Sequence, residues 1–124
     1  MKMWEILVPT QRNDGRPITT RYHKIWDEKV RKITNGLTIL KPAIGQWIEP
    51  NTTDLYKERM IPVRIMCSTK DIEKIMDMTA EYYTQKAVLA YVVSTECKLK
   101  NYDVKSMSIN CPTKQQLNVI RGNK

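Results

Sequence analysis

Residues 61–94 read IPVRIMCSTKDIEKIMDMTAEYYTQKAVLAYVVS, and their patterning decides the fold. Ile61, Val63, Ile65 and Cys67 alternate with Pro62, Arg64 and Met66, the two-residue period of a strand with distinct faces. Ser68-Thr69 and Asp71 then supply a capping hydroxyl and a first-turn acid, a helix start. Ile72, Ile75, Met76, Thr79, Tyr82 and Tyr83 follow at helical spacing, which predicts a helix over Thr69–Gln85. Ala87–Ser94 is apolar on both parities, the mark of a central strand covered on both faces. The first strand extends back to Leu55, and Pro62 within it lacks an N–H to donate, so a bulge or an exposed edge is expected there.

Working outward, the upstream chain supplies the matching half. Trp4, Ile6 and Val8 alternate with Glu5 and Leu7, and Pro9 ends that strand. Residues 10–18 contain Asn13-Asp14-Gly15 and Pro17, strong turn chemistry. Thr19 or Thr20 can cap a helix reaching Ile33, with Tyr22, Ile25, Trp26, Val30 and Ile33 as its apolar stripe. Asn35-Gly36 suits its C-terminal stop. Leu37–Leu40 forms a strand broken by Pro42, Gln46–Ile48 reads as a return limb, and residues 50–54 form a polar loop. The resulting order, β-α-β-β-α-β, predicts an α+β, ferredoxin-like sandwich over residues 1–95: an antiparallel sheet with two helices on one face. Residues 96–124 read as a basic C-terminal extension, with a short strand over 106–111 and a short helix over 114–120.

With 124 residues, 41% hydrophobic and 27% charged, the chain fits one soluble domain. No apolar run approaches the ~20 residues of a membrane helix, and the start enters a strand directly, so neither a membrane partner nor a signal peptide is expected. Cys67, Cys97 and Cys111 form no paired short spacing and suit reduced thiols in a cytoplasm. The net charge is +8 and uneven: residues 1–95 carry 15 Lys+Arg against 11 Asp+Glu, and the last 29 carry 6 against 2. Such a balance favours anionic partners, or simply keeps the chain soluble.

Two helices cover only one face of such a sheet. Met60, Met66 and Leu7 then fall on the other face, and an apolar patch of that kind calls for a cover: a second subunit, the tail, or a ligand. A homodimer or higher homo-oligomer is the expected state.

The candidate ligand-binding residues are Arg21, His23, Lys24, Trp47, Arg59, Arg64 and Tyr91. Arg21 and Lys24, with Arg12 and Arg16, surround the first loop and the start of the first helix, where backbone amides already attract phosphate. Arg64 sits among apolar neighbours, so it is either paired with an acid (Glu5 or Glu58) or open to an anionic ligand. Lys57 and Arg59 share its strand. Trp47, after Gly45 on a hairpin, is placed to stack on a base or sugar, or else to lid the sheet edge. His23 is the sole histidine, with Asp27 four residues on. A solvated helix-surface pair is the ordinary reading of the two. No phosphate-binding glycine loop, nucleophile elbow or zinc signature occurs, and neither a metal nor a cofactor is expected.

The runs His23-Lys24-Ile25-Trp26-Asp27, Thr34-Asn35-Gly36-Leu37-Thr38-Ile39, Gly45-Gln46-Trp47 and Lys57-Glu58-Arg59 resemble a diffuse group of small ferredoxin-like proteins of unassigned function. In that group a G-x-T strand start and a G-x-W hairpin recur between the helices. The resemblance covers residues 4–94 and implies the fold but no chemistry. In size and basic character the chain is also similar in type to phage counter-defence proteins that sequester nucleotide signals, such as the Thoeris anti-defence sponges. The expectation is a non-enzymatic protein sequestering a small phosphorylated nucleotide. One alternative is a nucleic-acid or protein-interaction module led by the basic tail. The other is a small dimeric enzyme using His23 or Tyr91 as its acid–base group.

Overall fold

A computed structural model describes residues 1–107. The elements are β1 (Lys2–Pro9), α1 (Thr20–Thr34), β2 (Thr38–Ile39), β3 (Ala43–Ile48), β4 (Leu55–Cys67), α2 (Thr69–Tyr83) and β5 (Ala90–Ser94), followed by a 3-10 turn at Val104–Ser106. Apart from Ser106, which ends that turn, and Met107, the strand expected over 106–111 and the helix expected over 114–120 lie outside the described residues.

The sheet is antiparallel in the order β2-β4-β1-β5, with β3 also pairing with β4. This is the ferredoxin-like α+β arrangement expected from the element order. Ile6 and Val8 of β1 join Val63, Ile65 and Cys67 of β4 under Trp26, Val30, Ile72 and Ile75 of the helices, all at most 2% exposed. Burial of an aliphatic side chain of this size is worth about 1.5–3 kcal/mol. The helix layer is also joined by polar bonds. Trp26 Nε1 donates to Thr79 Oγ1 at 2.9 Å, and Thr79 Oγ1 donates to the Ile75 carbonyl at 2.6 Å, so a fully buried hydroxyl is satisfied twice.

Local chemistry places the helix ends. Thr19 Oγ1 accepts from Tyr22 N at 3.2 Å and Ser68 Oγ from Asp71 N at 3.1 Å. Asn35 ends α1 in the left-handed region (φ 70°), which an asparagine tolerates. Helix α2 stops at Tyr83, two residues short of the expected Gln85, because Thr84 turns left-handed (φ 54°).

Two expectations are corrected. Pro62 lies neither at a bulge nor on an outer edge: it pairs with Leu7 inside the sheet. Its carbonyl accepts from Leu40 N at 2.9 Å, so its ring nitrogen faces the same side. A residue with an N–H would return that bond to Leu40. Proline has none, and β2 ends one residue earlier, at Ile39. The missing donor thus sits at the break between β2 and β3. Second, β5 is an edge strand, not a central one: it pairs with β1 alone among the described strands and begins at Ala90. Tyr91, Val92 and Val93 are each about 40% exposed.

Candidate functional site

The register assigns the open face of the sheet. Glu5 lies opposite Arg64 on one side and Tyr91 on the other, Leu7 lies opposite Pro62, and Pro9 opposite Met60. On the far side of β4, Met60 pairs with Ala43, Glu58 with Gly45 and Tyr56 with Trp47. The alternation that buries Ile6 and Val8 against the helices therefore turns Glu5 and Leu7 outward. Met60 and Leu7 stand on the uncovered face, as expected.

Glu5 is the centre of a three-strand polar bridge. It is 8% exposed. Its Oε1 accepts from Arg64 Nε at 3.0 Å and its Oε2 accepts from the Tyr91 hydroxyl. The carboxylate next to the phenol raises the Tyr91 pKa, because ionising Tyr91 would set two anions side by side and lose the hydrogen bond. Of the two readings of Arg64, pairing with Glu5 is the one observed, with 44% of its side chain left exposed.

Trp47 owes its position to a glycine. A Cβ at Gly45 would lie 3.0 Å from the indole Nε1, 3.1 Å from Cζ2 and 3.2 Å from Cε2. The ring therefore rests over Gly45, two residues back on the same face of β3. This gives the G-x-W run a physical meaning: the missing side chain is the seat of the indole. Trp47 remains 41% exposed and Tyr56, its cross-strand partner, 50%.

These residues bound a continuous trough. One lobe, of about 370 Å³, lies over Glu5, Pro62, Gly45 and Tyr91. A second, of about 780 Å³, runs past Tyr56 and Glu58 to Asn13, Thr84 and Lys86 at the end of α2. Leu7, Trp47, Met60 and Leu89 line both lobes. The lining is mostly apolar and aromatic, with the carboxylates of Glu5, Glu49 and Glu58 among it, a surface suited to a flat, partly apolar ligand.

The candidate residues divide between the two sides of the sheet. Trp47, Arg64 and Tyr91 come together on the open face. Arg21 and Lys24 line a separate groove of about 550 Å³ beside α1, with Asp27, Glu28 and Arg31. His23 is tucked between the helices, its Nδ1 2.7 Å from the Tyr83 hydroxyl. Burial lowers its pKa, opposed by Asp27, and burial raises that of Tyr83. Arg59 lies opposite Ile44, and its carbonyl accepts from Thr10 Oγ1 at 2.8 Å. Glu58, Tyr56, Leu89 and Lys86 belong to the trough without having been singled out as site residues. Glu58 enters the sequence reading only as a possible partner of Arg64 and Tyr56 only as an aromatic face; their shared parity with Met60 along β4 is the signal that places them here. No cluster of three or more metal-ligating side chains occurs among the described residues, and no described helix is long and apolar enough to cross a membrane.

No protein-family model and no curated protein sequence matches the chain. Solved structures do resemble it. A phage SAM lyase in complex with S-methyl-5′-thioadenosine superposes with a TM-score of 0.57 at 16% identity, over 74% of this chain and 79% of that one. The divalent cation tolerance protein CutA1 of Thermus thermophilus gives 0.58 at 7% identity, over 78% and 86%. The PII-like protein CutA of Nostoc sp. PCC 7120 gives 0.52 at 14%, over 77% and 82%. At these identities the likeness establishes a shared architecture: the chain has the ferredoxin-like fold that also underlies CutA and a phage SAM lyase.

Proposed function

We propose that the chain is a small-ligand-binding protein that retains a nucleoside-type molecule in the open-face trough. The observation that carries this reading is the indole of Trp47, seated over Gly45 at the wall of an apolar trough and still partly exposed. Stacking of a base on such a ring is worth about 1–3 kcal/mol and tolerates any base.

Charge refines the ligand. Glu5 already neutralises Arg64, and the remaining charged groups of the trough are Glu49 and Glu58 against Lys86. A polyphosphate would meet more carboxylate than cation there. A neutral or cationic nucleoside suits this lining better than a phosphorylated one. The phage lyase of the same fold holds S-methyl-5′-thioadenosine, which carries no phosphate. That likeness supports a phage setting, in which sequestering a nucleotide-derived signal or metabolite would serve counter-defence in the host cytoplasm.

A homo-oligomer belongs to the same reading. Ile44, Ile48 and Leu55 on the β3–β4 hairpin are 55–73% exposed, more apolar surface than a lone subunit ordinarily leaves wet. Light scattering on the purified chain tests this, and a monomer at micromolar concentration would refute it.

The ligand test is calorimetry with S-methyl-5′-thioadenosine, SAM, adenosine and ATP. We expect the unphosphorylated adenosyl compounds to bind wild-type protein and Trp47→Ala to lose at least ~10-fold in affinity. Absence of binding by all four would overturn the proposal. A second reading, turnover, rests on the hydrogen bond between Tyr91 and the nearly buried Glu5, an acid–base pair on the trough floor. Chromatography of SAM after incubation separates the two readings: intact SAM supports retention, whereas conversion lost in Glu5→Gln supports catalysis.

A further inference from the structure

A further pocket, of about 290 Å³, lies between the loop of residues 10–18 and the end of α2. We propose that it is an independent ligand site for a phosphate monoester, with Arg12 as its anion-binding residue.

The loop is held by its own backbone. Arg12 N donates to the Arg16 carbonyl at 2.7 Å, Gly15 N to the Arg12 carbonyl at 2.9 Å, and Ile18 N to the Thr10 carbonyl at 2.9 Å. Gly15 adopts φ 86°, a conformation that costs glycine little. Asn13 Nδ2 ties the loop to the Thr84 carbonyl at 3.0 Å. The floor is equally fixed. The rings of Tyr22 and Tyr82 stack at 4.2 Å, and each hydroxyl donates to the other residue's carbonyl, at 2.6 and 2.8 Å. Arg12 lies over the outer face of this pair, 5.1 Å from the Tyr22 centroid.

Charge then singles out Arg12. Asp14 is the acid lining the pocket, and Arg16 occupies both its oxygens, through its backbone N–H at 3.0 Å and its Nε at 2.7 Å. Among the described residues the Arg12 guanidinium has no ion pair or hydrogen bond. It is a cation held on an aromatic stack, and it lines the pocket together with Ile18 and Tyr83. A guanidinium so arranged binds an oxyanion bidentately, and phosphate draws it more strongly than a singly charged carboxylate. Arg16, 77% exposed, stands close enough to Asp14 to exchange one anion for another. Asn13 and Thr84 line both this pocket and the trough, so the sites are neighbours divided by one wall. The proposal does not depend on what the trough binds.

The test is calorimetry of the full chain with inorganic phosphate and with glycerol 3-phosphate, a monoester that carries no base for the trough, at ionic strength matched with sodium chloride, and with acetate as the carboxylate probe. We expect both phosphates to bind wild type, Arg12→Ala to weaken them at least ~10-fold, and Arg12→Lys to recover part of the loss. Trp47→Ala should leave inorganic phosphate binding unchanged, which separates this site from the trough. Asp14→Asn, which releases Arg16, should tighten phosphate several-fold, a gain that misfolding cannot mimic. Phosphate binding that survives Arg12→Ala, equal binding of acetate, or no phosphate binding at all would overturn the proposal.

Discussion

Replacing Gly45 with alanine separates the trough from the fold. The new Cβ would meet three indole atoms of Trp47 at 3.0–3.2 Å, where ordinary contact starts at 3.4 Å. The obstruction is the ring itself, so Trp47 must withdraw by a few tenths of an ångström or leave its seat. Gly45 does not occupy the left-handed region, so alanine meets no backbone obstacle. Within a strand alanine is favoured over glycine by about 0.5–1 kcal/mol, because less chain entropy is lost on folding. The expected outcome is a protein at least as stable as wild type whose ligand binds more weakly. If half of a stacking interaction of about 2 kcal/mol is lost, affinity falls about fivefold. Thermal melting, tryptophan emission and titration with S-methyl-5′-thioadenosine on one sample read all three quantities. Unchanged emission with unchanged affinity would refute the placement of the indole. Weaker binding accompanied by a large loss of stability would refute the separation of site from fold.

Three further outcomes are expected. Thr79→Val keeps the shape of a fully buried side chain but strands Trp26 Nε1 without its acceptor; a loss of about 1–3 kcal/mol should lower the urea midpoint at unchanged slope. The pKa of His23 is lowered by burial, so the fold favours neutral imidazole. Its contribution is complete above the unfolded value of about 6.5 and is lost as pH falls through the folded pKa; the drop in urea midpoint between pH 7.5 and pH 5 should be smaller in His23→Gln. Glu5→Gln removes the charge that raises the Tyr91 pKa, so spectrophotometric titration should show one phenol ionising at lower pH than in wild type, while Arg64, 44% exposed, rehydrates at modest cost.

What was legible in the sequence is what one-dimensional periodicity encodes. The alternation of Trp4, Ile6 and Val8, and of Ile61, Val63, Ile65 and Cys67, identified the helix-covered face, and Thr19 and Ser68 marked the helix starts. The same parity put Leu7, Met60 and Arg64 on the other face and named Glu5 as a partner of Arg64. Lateral position in the sheet was harder to read. Pro62 sits in an interior strand because the chain breaks between β2 and β3 beside it, a tertiary coincidence. β5 is apolar on both parities yet lies at an edge, since burial pattern alone does not report which neighbours a strand acquires. Basic residues clustered in sequence around α1 also divide in space: His23 turns toward Tyr83, Arg21 and Lys24 line one groove, and Arg12 another pocket. The seat of Trp47 was written in Gly45-Gln46-Trp47, but its meaning required knowing that both end residues face the same way.

The most direct test is a two-dimensional nitrogen–proton spectrum of the three tryptophan indoles during titration with S-methyl-5′-thioadenosine. The indole of Trp47 should shift in proportion to occupancy, while those of Trp26, buried and bonded to Thr79, and Trp4, beneath the opposite face of the sheet, should stay in place. Saturable binding that leaves the Trp47 signal unmoved would contradict the trough as the ligand site.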